Sequence, residues 1–358
     1  SQSIVASALA KLLTVASAGR CELALEFEAL HSMASGPRPQ YRFIDIGANL
    51  TDPVFRGVYR GRQLHQDDFD AVLRRAAEVG VERIIVTGGS LSESKAALHL
   101  CRDQLTAGGD RQVRLTCTVG CHPTRSSEME SDPAGYLNSL RQLVEANRDL
   151  VSAVGETGLD YDREHFAPRE VQMRHFRSQV SLACQLRLPL FLHCRASHAE
   201  FRAVLSEFAS QLPSPPGVVH TFDGSAEDAA ELLAMGFYLG LNGCSLKTAD
   251  NLRVVSGLPL DRLLLETDAP WCEVKPSHAG HSHVTPSSRF ESRKAERWSP
   301  GCMVKGRNEP ACILQVLQVV AATLGQPAEK VASAAFANTC RLFGLAEAAA
   351  PSTVEGDN

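Results

Sequence analysis

Five side chains able to bind a metal ion, His122, Glu156, His193, His220 and Asp268, each stand at the close of an apolar, strand-like run. Their contexts are Val119-Gly120-Cys121-His122-Pro123, Ala153-Val154-Gly155-Glu156, Leu190-Phe191-Leu192-His193, Val218-Val219-His220 and Leu264-Leu265-Glu266-Thr267-Asp268. Neutral imidazoles and ionised carboxylates are the usual ligands of catalytic zinc, and sets richer in oxygen also take manganese or magnesium. The expected ligand set is Glu156, His193, His220 and Asp268 around one or two divalent ions, with Mg2+ expected first and Mn2+ or Zn2+ as alternatives. Two ions would share Glu156 as a bridge, polarise a phosphoryl oxygen and acidify a bound water. Asp268 is expected to ligate one ion while taking the water's proton, and His122, on a loop, suits a donor to substrate phosphate. Each residue also has a plainer role. A histidine at a strand end is often only a satisfied polar group, and Glu156, Asp268 before Ala269-Pro270, or His122 before Pro123 would each serve to shape a turn. The weight lies in all five falling at the same ends of successive strands.

Strand ends distant in sequence meet at one mouth only if the strands close into a parallel barrel, and the chain alternates accordingly. Strands are expected at Tyr41 to Asn49, Arg83 to Gly88, Arg114 to Gly120, Val151 to Glu156, Leu188 to His193, Gly217 to His220, Phe237 to Asn242 and Arg262 to Asp268. Helical stripes fall between them, such as Phe69, Val72, Leu73, Ala76 and Val79, ended by Gly80, and Met173, Phe176, Val180 and Ala183 after Pro168. The strands read as near-continuous apolar runs, as expected when helices cover both faces. A last helix carrying Ile313, Leu317 and Val320 is expected behind Asn308-Glu309-Pro310. The expected fold is therefore a single α/β domain, a (β/α)8 TIM barrel over residues 41–344.

With 358 residues, 44% of them hydrophobic, the chain can bury a large core, and a net charge of -5 argues against general polyanion affinity, so any nucleic acid must be held by local patches or by cations. Eleven cysteines without paired spacing suggest a reducing, intracellular setting, and no apolar run has the length of a membrane span. Residues 1–40 are expected to form an extension outside the fold, with Met33 resembling a natural start and a faint mitochondrial-targeting character before it. Residues 345–358 are expected to be a disordered acidic tail. The oligomeric state is left open, a monomer included.

The segments Asp45-Ile46-Gly47-Ala48-Asn49-Leu50-Thr51, Gly155-Glu156-Thr157-Gly158-Leu159-Asp160, Leu192-His193-Cys194-Arg195, His220-Thr221-Phe222-Asp223-Gly224, Glu266-Thr267-Asp268-Ala269-Pro270 and Arg307-Asn308-Glu309-Pro310 together resemble the TatD family of metal-dependent deoxyribonucleases. The resemblance covers nearly the whole expected barrel. It implies an amidohydrolase-like TIM barrel hydrolysing DNA phosphodiesters, typically from 3′ to 5′, with Glu156, His193, His220 and Asp268 as metal ligands and His122 near the scissile phosphate. It also leans towards a nuclear location over a cytoplasmic one. Much of the wider family has His-x-His after the first Asp, whereas this chain has Gly47-Ala48-Asn49, a pattern shared by close relatives. Asn49 is therefore expected to line the site by hydrogen bonding, and Thr157, commonly Cys in this branch, to have a small effect.

Two loops are locally basic. The first interleaves Arg56, Arg60 and Arg62 with Phe55 and Tyr59, a composition suited to phosphates and to stacking an unpaired base. The second, from Ser287 to Glu309, holds six basic residues, Arg289, Arg293, Lys294, Arg297, Lys305 and Arg307, with Trp298 standing between them, and Arg307 beside the last helix is expected to shape the mouth or touch phosphate. The function expected is a divalent-metal deoxyribonuclease acting on single-stranded or frayed DNA. A small-molecule amidohydrolase with a closed pocket and a non-catalytic DNA-binding scaffold are its rivals.

Overall fold

The computed structural model describes residues 39–106 and 113–345, so the expected extension up to residue 38, the start at Met33 and the tail from residue 346 lie outside the described residues. Eight parallel strands follow one another in chain order around one sheet: β1 Phe43–Ala48, β2 Val81–Val86, β3 Arg114–Val119, β4 Val151–Asp160, β5 Leu190–Arg195, β6 Gly217–Val219, β7 Tyr238–Leu241 and β8 Leu263–Leu265. Between them run α1 Phe69–Glu78, α2 Leu91–Thr106, α3 Pro133–Glu145, α4 Arg169–Leu186, α5 His198–Glu207, α6 Ala226–Ala234 and α7 Ala249–Ser256, and α8 Ile313–Leu324 and α9 Ala328–Phe343 complete the fold. This is the TIM barrel expected from the alternation.

Local chemistry fixes the helix starts. Asp132 accepts from Gly135 N at 2.9 Å ahead of α3, and Ser225 with Asp228 and Thr248 with Asn251 form capping boxes at α6 and α7. Gly325 and Gly344 close α8 and α9 in left-handed conformations. Helix α9, whose buried face carries Val331, Ala332, Ala335, Phe336, Thr339 and Leu342, was not among the expected elements. It nevertheless brings Leu342 into the barrel-floor cluster of Ile46, Ile85, Ala153, Phe191, Val218, Tyr238 and Leu264.

The ring closes between β1 and β8. Ala48 and Ala269 form a parallel bridge, Asp268 N donates to Gly47 O at 2.8 Å, and Asn49 N donates to Ala269 O at 2.6 Å. Asp45, fully buried, reinforces the seam: its Oδ1 accepts from Thr267 N at 3.0 Å and its Oδ2 lies 2.5 Å from Thr267 Oγ1. Burial outweighs these bonds and pushes the Asp45 carboxyl up to about 8.

A buried quartet ties the loop after β1 to α1 and to the segment before α8. Arg307 makes a paired contact to Asp68 at 2.7 and 2.8 Å and reaches Glu309 at 2.8 Å, while Arg75 bonds Glu309 at 2.8 and 3.0 Å. Two guanidinium groups balance two carboxylates, so the quartet carries no net charge into the interior. Arg307 is thus turned inward, only 3% exposed, and the expectation that it touches phosphate is corrected: its paired donors face Asp68, Glu309 and Val54 O.

Two expected outcomes follow. Because an unfolded Asp45 ionises near 3.8 while the fold keeps its proton up to about 8, the unfolded state binds fewer protons between those values and stability falls as pH rises. Asp45→Asn keeps an acceptor and supplies a permanent donor, so its Tm relative to the parent should climb from about pH 5 to about pH 8 in a metal-free thermal melt; a constant difference refutes this. Arg307→Ala strands two buried carboxylates and should destabilise the protein by about 3–5 kcal/mol in denaturant unfolding, whereas a loss under about 1 kcal/mol would contradict the quartet's structural role.

Candidate active site

Strand β4 is longer than the sequence suggested. It does not end at Glu156 but continues to Asp160, pairing Thr157 with Leu192 and Asp160 with Arg195. The register against β5 slips between Gly155 and Thr157, so Glu156 is the extra residue of an irregularity inside the strand. Glycine is required just before it: a Cβ on Gly155, at φ +148, would collide with the Phe191 carbonyl oxygen.

The slip sets Glu156 among three histidines from neighbouring strands. Its Oε1 lies 2.8 Å from His220 Nε2, 3.0 Å from His193 Nδ1 and 3.4 Å from His122 Nε2. One carboxylate oxygen cannot satisfy three such nitrogens with its two lone pairs. Buried polar atoms also stand around it without hydrogen-bond partners: His193 Nε2, which lies 3.3 Å from Asp160 Oδ2, Asp160 Oδ1 and Glu266 Oε2. Ligand atoms of His122, Glu156 and His193 fall within 4.8 Å of one another, a group that takes in His122 and leaves out His220 and Asp268 of the expected ligand set. Orphaned polar atoms and a mixed imidazole–carboxylate donor set fit a divalent cation.

The electrostatics point the same way. Burial opposes charge at Glu156, yet His220, by charge and hydrogen bond, and His193, by hydrogen bond, hold its carboxyl well below the usual range. Burial likewise opposes charge at His220 and His193, but Glu156 with Glu266, and Asp160 with Glu156, raise their pKa values. A pocket that raises the proton affinity of its histidines stabilises positive charge. His122 differs, since burial drives it down to about 3 and leaves it neutral. Thr124 N donates to His122 Nδ1 at 3.2 Å, and an amide can only donate, so the neutral ring carries its proton on Nε2.

Asp268 approaches from the ring seam in a left-handed conformation, φ +52. Asn49 Nδ2 donates to its Oδ1 at 3.0 Å and Cys272 Sγ to its Oδ2 at 3.2 Å. Burial pushes the Asp268 carboxyl up to about 6. Two acids escaped the sequence reading although both sit inside quoted motifs. Asp160 backs His193, and Glu266 Oε1 accepts from Thr221 N at 2.6 Å and Asn242 Nδ2 at 3.0 Å, leaving its Oε2 3.7 Å from His220 Nδ1. Their position behind the imidazoles is that of carboxylates that orient metal-binding histidines. Gly47 makes room for one of them, since a Cβ there would come within 3.0 Å of the Phe191 ring and 3.2 Å of Glu266 Oε2.

The basic loops are only partly as expected. Phe55 is fully buried under Arg307 and cannot stack a base, which corrects that reading. Tyr59 leans on His65, whose ring stacks on Trp298 at 5.0 Å, so the two loops meet through aromatic contact. Arg56 pairs with Asp67 at 3.0 Å and lies over Phe69, while Arg60 and Arg62 are exposed in the short hairpin after β1.

Residues 44–344 match the model of the family described as TatD related DNase. The chain is 43% identical to the protein named Deoxyribonuclease Tat-D of Schizosaccharomyces pombe, over 84% of this chain and 96% of that one. It is 34% identical to the 3'-5' ssDNA/RNA exonuclease TatD of Erwinia amylovora, over 84% of this chain and 99% of that one. Among solved structures, a hydrolase TatD family protein from Entamoeba histolytica superposes with a TM-score of 0.79 at 33% identity, covering 86% of this chain and 100% of the other. The chain therefore belongs to the TatD related DNase family and is a hydrolase of that family.

Proposed function

We propose that this protein is a divalent-metal deoxyribonuclease that removes nucleotides from the 3′ end of single-stranded or frayed DNA. The observation that carries the reading is the convergence of His122, His193 and His220 on one oxygen of Glu156, at 2.8 to 3.4 Å, inside the ring of strands. The names of the Erwinia amylovora and Schizosaccharomyces pombe relatives support the polarity and the substrate. A barrel mouth built from single loops suits one strand better than a duplex.

Glu156, His193, His220 and Asp268 would hold one or two ions, Mg2+ first and Mn2+ or Zn2+ as alternatives. A bound divalent ion supplies Lewis acidity to a phosphoryl oxygen and acidity to a water. The chain's own groups do the rest. Asp268, steadied by Asn49, accepts the proton of the attacking water. His122 donates its Nε2 hydrogen to a phosphate oxygen, a role its neutral tautomer suits. Asp160 and Glu266 fix the imidazole orientations, and Arg60 and Arg62 on the exposed hairpin attract the backbone that leads to the site. Ten free thiols among the described residues fit a reducing compartment within the cell.

Release of labelled mononucleotides from a 3′-labelled oligomer should appear when Mg2+, Mn2+ or Zn2+ is restored to chelator-treated protein. In Glu156→Gln and His193→Ala proteins it should fall by about 100-fold or more, with Tm in chelator close to the parent's. Undiminished release in both variants would refute the site.

A further inference from the structure

Among the described residues three large hydrophobic side chains are strongly exposed, Leu105, Phe166 and Trp271, at 56%, 58% and 56%. Leu105 ends helix α2, but the two aromatics lie on loops that leave the carboxyl ends of barrel strands. Trp271 follows Asp268 by three residues and is held in that turn by its own amide, which donates to Asp268 O at 2.9 Å. Phe166 lies six residues past Asp160 in the loop between β4 and α4; its amide donates to Arg163 O at 3.1 Å and its carbonyl accepts from Ser127 Oγ at 3.2 Å. The backbones of both aromatics are therefore fixed while their rings face solvent.

Their placement in the ring is the second observation. The strands run β1 to β8 in order around the barrel, so β4 and β8 are four positions apart in a ring of eight and stand on opposite sides. The Glu156 cluster lies between them, with Asp160 on the Phe166 side and Asp268 on the Trp271 side. Exposing a large apolar ring to water is unfavourable unless a partner covers it. Two such rings, on loops that leave strands on opposite sides of a cation-favouring mouth, are the kind of side chain on which proteins that hold single-stranded nucleic acid stack bases, since each base offers a π-face whatever its identity. Arg163, 57% exposed by side chain in the same loop as Phe166, is paired with Asp160 at 3.4 Å, which fixes this loop against the site.

We propose that Trp271 and Phe166 are the base-stacking subsites of this enzyme, gripping nucleobases on opposite sides of the scissile phosphate in a single DNA strand. The proposal rests on the nuclease reading above. It assigns to these two residues the stacking that the sequence had suggested for Phe55 and Tyr59. It also makes grip independent of base identity and dependent on the base being unpaired.

The test has a binding arm and a turnover arm. In a Trp298→Phe background Trp271 is the sole tryptophan of the chain, and oligothymidylate added in chelator should quench its fluorescence, whereas an abasic oligomer of equal length and charge should not. In steady-state assays of the metal-loaded enzyme, Trp271→Ala should raise KM for oligothymidylate about 5- to 100-fold with a much smaller change in kcat, and Phe166→Ala should do the same to a lesser degree. Trp271→Phe should restore most of the affinity. The parent's preference for natural over abasic oligomer should shrink by the same factor in Trp271→Ala. Equal quenching by both oligomers, or a KM left within twofold in both alanine variants, would overturn the assignment. If the parent enzyme cleaves no oligomer with any metal, the nuclease reading falls, and the fluorescence arm alone decides whether the rings stack on bases.

Discussion

Asp45 reaches from the first barrel strand to Thr267 after the last, and its two contacts there set the position of everything on the far side of the mouth. The turn carrying Asp268 is anchored to the same seam by the backbone bond to Gly47, and Asn49, at the adjoining end of β1, holds the Asp268 carboxylate. A left-handed aspartate is sterically disfavoured and persists only where surrounding bonds over-determine it. The seam supplies those bonds. Across the ring, the slip at Glu156 plays the matching part by setting one carboxylate among three imidazoles.

Much of this arrangement was legible in the chain. Apolar runs such as Leu190-Phe191-Leu192 announce strands buried on both faces, and the polar residue that follows each run marks the mouth, which is why His193, His220 and Asp268 were identifiable before any fold was known. Glu156 was found for the same reason but misplaced, because Thr157, Gly158 and Leu159 do not reveal that β4 pairs on to Asp160. Asp160 and Glu266 were missed for a related cause. Both lie within recognisable motifs, but a carboxylate that orients a histidine has no sequence signature of its own; only distance to the ring distinguishes it from a ligand. Helix α9 was left out although Val331, Ala332, Ala335, Phe336 and Leu342 recur at helical spacing.

Arg307 and Phe55 show where composition misleads. A run of arginines and aromatics reads as a nucleic-acid surface, but the alternation does not say which side chains turn inward. Here two arginines are consumed in balancing Asp68 and Glu309, and Phe55 lies beneath one of them. Arg60 and Arg62 beside them are exposed, and the exposed rings lie on other loops. Burying balanced charge contributes little net stability compared with an apolar packing of similar volume. What the quartet gives is a fixed geometry for three segments that lie far apart in sequence.

Ring closure by the last strand also sets when during biosynthesis the protein can act. Contacts between residues 45 and 267 form only after the ribosome has delivered β8, and such distant pairings are the slow step in folding barrels of this kind. A nascent chain that has displayed His122, Glu156, His193 and His220 still lacks Asp268 and the lip that faces them. The two lips of the seam, at residues 45–49 and 266–269, therefore meet only once more than two thirds of the chain has been made.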